Sequence, residues 1–144
     1  MPKYRSEYEK FNFHEQTVAE SLYNEGESSY LGREKDIDEK KAFEFYSRAA
    51  SLGYAKAQYK VARCYEFGRG VNKNMTNASL WYRKAAELYA AAVMGHARAQ
   101  YKFGLCCEFG RGCPKNVELA YKSYMKAAQQ GDKDAQQKIQ RLNH

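Results

Sequence analysis

Small and apolar residues return along most of this chain at helical intervals. Ala57, Val61, Cys64 and Tyr65 stand at i, i+4, i+7 and i+8, and Ala99, Phe103, Cys106 and Cys107 repeat that spacing. A second kind of block comprises Ala42, Tyr46 and Ala49, then Ala78, Tyr82 and Ala85, then Ala120, Tyr124 and Ala127, each at i, i+4 and i+7. A period near 3.6 places each set on one helical face, so the chain reads as pairs of amphipathic helices. The recurrent alanines let paired helices approach closely. Gly-Arg-Gly at 68–70 and 110–112 ends each first helix, where positive φ is easily reached only by glycine. Asp38, Asn74 and Asn116 stand where an N-cap opens each second helix, and Gly53, Gly95 and Gly131 are expected to stop those helices.

The blocks also repeat as sequence. Glu66-Phe67-Gly68-Arg69-Gly70 recurs unchanged as Glu108-Phe109-Gly110-Arg111-Gly112, and Ala57-Gln58-Tyr59-Lys60 as Ala99-Gln100-Tyr101-Lys102, both at an offset of 42. Trp81-Tyr82-Arg83-Lys84-Ala85-Ala86 corresponds to Phe45-Tyr46-Ser47-Arg48-Ala49-Ala50 and to Ser123-Tyr124-Met125-Lys126-Ala127-Ala128, at offsets of 36 and 42. The underlying period is therefore 36, with six extra residues in the middle unit, and helical-hairpin repeats have periods in this range.

These residues together resemble the Sel-1-like repeat family, a relative of the tetratricopeptide repeat, over roughly residues 38–137. The resemblance implies an all-α fold, a right-handed α/α solenoid of about three helix-turn-helix repeats with a C-terminal capping helix. Hairpins are expected at about 13–52, 55–94 and 97–130 within a repeat domain spanning 13–144. The cap is expected at 132–142, with Ala135, Ile139 and Leu142 on one side. Residues 1–12 read as an aromatic and charged extension in which Tyr4, Tyr8 and Phe11 have helical spacing. Gln16, Tyr23 and Gly26 align at an offset of 42 with Gln58, Tyr65 and Gly68, which starts a degenerate first repeat near Phe13. On that register Glu27-Ser28-Ser29-Tyr30-Leu31 is an insertion or a substitution.

Charge changes the picture. The formal sum is +7, yet residues 1–40 carry six Lys/Arg against ten Asp/Glu, and residues 41–144 carry eighteen against seven. The repetitive part is the basic part, suited to an acidic protein segment or, alternatively, to RNA or another polyanion. No stretch approaches a membrane span, and Glu7 and Glu9 stand where a secretory leader needs an apolar run, so a cytoplasmic protein is expected.

Catalytic and cofactor chemistry find little support. The three histidines (His14, His96, His144) are scattered, and the four cysteines lack paired zinc-ligand spacing, so no enzyme activity, metal or cofactor is expected. Cys64, Cys106 and Cys107 read as core thiols, and Cys113, in a loop, as the most reactive. Glu66 and Glu108 are expected to hold loop amides or to pair with a lysine such as Lys84 or Lys126. The Gly-Arg-Gly segments lack a preceding strand and a following Lys-Ser/Thr, which makes them turns rather than phosphate loops.

Two features stand above the repeat pattern. Lys56, Tyr59, Lys60 and Arg63 lie at i, i+3, i+4 and i+7, and Arg98, Tyr101, Lys102 and Leu105 repeat them. In the family resembled, first helices line the concave side, so these eight residues form a candidate partner-binding groove. A packing role for the tyrosines and a solvated role for the cations remain the alternative. The extra residues around Leu88, Tyr89, Val93 and Met94 either pack on the neighbouring repeat or form an association surface. The expected function is a protein-interaction adaptor.

Overall fold

A computed structural model describes residues 7–31, 37–87 and 95–143, with side-chain detail for 17–31, 37–87 and 97–143. The described residues form seven helices: α1 (Glu7–Leu31), α2 (Glu39–Ser51), α3 (Ala55–Phe67), α4 (Met75–Glu87), α5 (Gly95–Phe109), α6 (Val117–Gln129) and α7 (Lys133–Leu142). Each helix packs on the next in sequence, and α3 also meets α5. The first helices α1, α3, α5 and α7 thus form one layer and the second helices α2, α4 and α6 the other. The fold is the all-α solenoid that the repeats imply.

The expected punctuation is in place at most boundaries. Asp38, Asn74 and Asn116 each accept from a backbone N–H three residues on, at 2.9, 3.0 and 3.0 Å. After α2 and α6, Gly53 and Gly131 take positive φ. Gly95, expected to stop a second helix, is the first residue of α5.

Alanine and tyrosine build the core. Tyr46, Tyr82 and Tyr124 are the largest fully buried side chains, one per hairpin, surrounded by Ala42, Ala49, Ala78, Ala85, Ala120 and Ala127. Each buried ring packs against a first-helix tyrosine at 5.8, 5.7 and 5.8 Å between centroids, through Tyr23, Tyr59 and Tyr101. Beside them, positions 26, 62 and 104 allow the close approach. A methyl added at Gly26 or Gly104 would lie 2.7 or 2.5 Å from the partner ring, and Ala62 is wholly buried.

This geometry corrects the register of the first repeat. Tyr23 and Gly26 occupy the places of Tyr59 and Ala62, an offset of 36 rather than 42. The backbone gives the same answer. Asp38 N–H bonds Ser29 C=O just as Asn74 bonds Tyr65 and Asn116 bonds Cys107, at 3.0, 2.8 and 2.8 Å. Glu27–Leu31 is therefore no insertion but the last turn and a half of α1, and Tyr30 takes the position of Glu66. The pairing misled because Tyr and Gly recur in more than one register; the contact with Tyr46 and the Asp38–Ser29 hydrogen bond separate them. No break divides α1 between residues 12 and 13.

Candidate functional site

The first-helix layer is stitched together by one network repeated three times. Tyr46, Tyr82 and Tyr124 need an acceptor for a hydroxyl carried into the core, and each donates to a glutamate: Glu27, Glu66 (2.5 Å) and Glu108 (2.6 Å). Each glutamate also pairs with a lysine of the next first helix, Lys60 (3.4 Å), Lys102 (3.2 Å) or Lys138 (3.0 Å). Core tyrosine, carboxylate and inter-repeat lysine therefore form a single unit. Burial, then the bond to the glutamate, raises the phenol pKa of all three tyrosines well above the usual range. Burial acts against ionisation of Glu108, but the Tyr124 hydrogen bond and Lys138 outweigh it and hold that carboxyl below its ordinary value.

This network corrects two expectations. Glu66 and Glu108 meet Lys102 and Lys138, not Lys84 and Lys126; Lys84 instead lies over the Trp81 ring at 4.4 Å. The lysine that matters is one repeat along in space. Lys60 and Lys102 are likewise not free cations of a groove, their side chains being only 25% and 18% exposed in ion pairs. Lys102→Glu sets a carboxylate against Glu66 and is expected to cost about 2–4 kcal/mol, since it leaves a shielded charge opposed. Lys56→Glu, at an exposed position, should leave the thermal midpoint within about 2 °C. Equal midpoints for the two variants would show that the inter-repeat pair carries no stability.

The remaining groove residues divide. Tyr59 and Tyr101 are half-buried and pack on Tyr82 and Tyr124, and Leu105 lies against the same core. Arg98 reaches Asp132 at 3.3 Å and Asp134 at 2.7 Å, tying α5 to the start of α7. Lys56 is exposed, and Arg63 stacks on Tyr59 and Phe67, each at 5.9 Å. Leu88, Tyr89, Val93 and Met94 lie outside the described residues, as does Tyr4.

Two residues that spacing did not single out are prominent on this layer. Phe67 and Phe109 are about half exposed at the ends of α3 and α5, ringed by cations. The recurrence of Phe within Glu-Phe-Gly-Arg-Gly was the available signal, and it was absorbed by the turn. Beneath this edge, Tyr30, Tyr46, Lys60, Arg63, Cys64 and Arg69 enclose a recess of about 30 Å³. Among the described residues no helix is long and apolar enough to cross a membrane, and no cluster of His, Cys, Asp and Glu suits a metal ion.

Cys64, Cys106 and Cys107 are buried thiols, and Cys113 is partly exposed. Burial pushes the first two up to about 11, and burial together with the neighbouring Cys113 pushes Cys107 up to about 12, so all three are protonated and shielded at neutral pH. Iodoacetamide at pH 8 is expected to alkylate Cys113 alone in the native protein and all four thiols after unfolding. Native labelling of Cys64 or Cys106 on the same timescale would contradict this core.

The sequence profile of the Sel1 repeat matches residues 19–54, 55–89 and 97–132. The chain belongs to the Sel1 repeat family. The first two matched repeats begin 36 residues apart, the register that the tyrosine contacts impose. A solved Sel1 repeat protein from Oxalobacter formigenes is 36% identical with a TM-score of 0.75, over 83% of this chain and 45% of that one. A protective antigen of uropathogenic Escherichia coli strains with an SLR fold is 27% identical at a TM-score of 0.75, over 84% and 25% of the two chains. Among curated proteins, a chitin synthase regulator of Saccharomyces cerevisiae is 47% identical over 49 residues, 34% of this chain and 7% of its own length. The DAP3-binding cell death enhancer 1 of Rattus norvegicus is 43% identical over 54 residues, 36% of this chain and 11% of its own length. The chain spans at most about an eighth of the curated relatives it matches.

Proposed function

We propose that this protein is a non-catalytic adaptor whose Sel1 repeats hold a segment of an acidic protein partner on the first-helix layer. The observation that carries the reading is the unequal use of charge on that layer. Lys60, Lys102 and Arg98 are consumed in holding repeats together, whereas Lys56 and Arg63 have no carboxylate partner among the described residues. Lys56, exposed, supplies steering, and Arg63 beside the half-exposed Phe67 ring supplies steering and contact area together. Relatives named as regulators and as a binding protein fit a module that acts by holding others. Of the eight groove residues, Lys56 and Arg63 are assigned to the partner. Tyr59, Tyr101 and Leu105 shape the floor, and Lys60, Arg98 and Lys102 fix its geometry.

The test begins with affinity capture under nuclease treatment, which separates protein partners from RNA-bridged ones. Affinity for the captured protein is then measured with two double variants. Lys56→Glu with Arg141→Glu, both exposed on the first-helix layer, should weaken binding at least tenfold, equivalent to about 1.4 kcal/mol. Lys122→Glu with Lys126→Glu, exposed on α6, should leave it unchanged. The reverse ranking would move the site to the second helices. Capture abolished by nuclease, with steep loss of binding as salt rises, would favour the polyanion reading instead.

A further inference from the structure

We infer that Cys107 and Cys113 are a redox pair, which a low-molecular-weight disulfide such as oxidised glutathione converts to a disulfide bond across the Gly110-Arg111-Gly112 turn. The pair lies where α4, α5 and α6 meet and needs nothing from the partner-binding face. Cys107 is 1% exposed near the end of α5, whereas Cys113, in the turn before α6, is partly exposed and packs on the core cluster that contains Cys107. The two thiols stand within hydrogen-bonding reach of each other. The turn between them is folded back over the helix end by its own backbone. Arg111 N–H bonds Cys106 C=O at 2.9 Å, and Asn116 N–H bonds Cys107 C=O at 2.8 Å.

The preceding repeat shows that these places do not call for cysteine. Tyr65 and Val71 occupy them there, and both pack as ordinary apolar side chains on the first core cluster. In the third repeat both positions change to cysteine together, so a packing pair becomes a pair of thiols. Cys106 also feels the charge of Cys113, but the hydrogen-bond contact belongs to Cys107, and neighbouring side chains on a helix point about 100° apart.

Exposure divides the roles. Cys113 meets the reagent: its thiolate attacks one sulfur, the S–S bond of the reagent breaks, and one small thiolate leaves and is protonated by water, giving a mixed disulfide on Cys113. Burial keeps the proton on Cys107 and shields it from the reagent, while the Arg83 guanidinium of α4, within electrostatic reach of both sulfurs, favours its ionised form. Cys107 therefore reacts only with the sulfur placed beside it. It gives its proton to water as its Sγ bonds Cys113 Sγ, and the second small thiolate departs and is protonated. Two electrons and two protons pass from the cysteines to the reagent, which ends as two thiols.

The bond closes a ring of seven residues, 107–113, around the turn that docks the third repeat. Gly112 in that ring abuts the Met75 carbonyl, and its own carbonyl accepts from Ser79 Oγ at 2.9 Å. Oxidation thus staples the loop that joins the third repeat to α4.

The native chain is incubated with oxidised glutathione at pH 8, quenched in acid, alkylated in denaturant and digested with trypsin without reduction. Cleavage after Arg111 separates the two cysteines, so the bond appears as peptide 103–111 joined to peptide 112–115. That species should account for most of Cys113 and vanish on reduction, with Cys64 recovered as the alkylated thiol. Cys107→Ala should leave glutathione trapped on Cys113, and Cys106→Ala should leave the joined peptides in place. Hydrogen exchange at the Arg111 and Asn116 amides should slow about fivefold or more in the oxidised protein. A bond through Cys106, glutathione persisting on Cys113 of the wild-type chain, or a Cys113–Cys113 link between two chains overturns the pair. Unchanged amide exchange in the bonded protein overturns the staple.

Discussion

Gly112→Ala is expected to destabilise the protein by about 3–5 kcal/mol and lower its thermal midpoint by roughly 10 °C or more. Gly112 has φ +74, where a residue with a β-carbon is strained by about 1–2 kcal/mol. Space is the larger objection. A methyl there would lie 2.0 Å from the Met75 carbonyl oxygen and 2.5 Å from its carbon, at the start of the preceding second helix. Backbone atoms have no rotamer to escape into, so the third repeat must pull away from the second. That movement also stretches the 2.9 Å bond from Ser79 Oγ to the Gly112 carbonyl. Gly53→Ala separates the two terms, because Gly53 has φ +85 and nothing within 4 Å of an added methyl. Its expected cost is about 1 kcal/mol, from strain alone. Thermal melts of equal depression for the two variants would show that the approach of loop to helix imposes no constraint.

Gly104→Leu should rank next, at about 3 kcal/mol or more. An added methyl at Gly104 stands 2.5 and 2.7 Å from Tyr124 ring carbons, and Tyr124 is wholly buried with its hydroxyl held by Glu108 at 2.6 Å. Moving that ring breaks the bond to Glu108 and disturbs the Lys138 pair, so overpacking spreads from the hairpin core to the junction with α7. Gly104→Ala provides the graded comparison. Alanine is present at the equivalent Ala62 beside Tyr82, so a hairpin of this kind admits one methyl, and a loss of only about 1 kcal/mol is expected. Chemical denaturation with matched slopes measures both. A leucine variant as stable as wild type would mean that the α5–α6 crossing is wider than the Tyr124 contact requires.

The network also bears on how the surface can be probed. Reversing Lys60 and Lys102 together, the obvious surface-charge experiment from sequence spacing, would place two carboxylates against Glu27 and Glu66 and unsettle the solenoid. Reduced binding in that variant would report folding rather than recognition.

Much of the architecture was legible in the residues themselves. Helical periodicity, the 36-residue repeat, the N-cap residues Asp38, Asn74 and Asn116, and the Gly-Arg-Gly turns all act within a few neighbours, so local sequence carries them. What local sequence determined is therefore the all-α repeat fold and the family to which it belongs. Tertiary structure alone decided which residues meet across repeats. Lys84 is nearer to Glu66 in sequence than Lys102, and only the packing of α3 beside α5 brings Glu66 to Lys102 instead. The few letters matched at an offset of 42 misplaced the first repeat, and the contact of Gly26 with Tyr46 sets it at 36, where the repeat profile also begins. The same layer packing decided that Lys60 and Lys102 are shielded partners while Phe67 and Phe109 face water, because exposure depends on the neighbouring repeat, which helical spacing within one repeat does not contain.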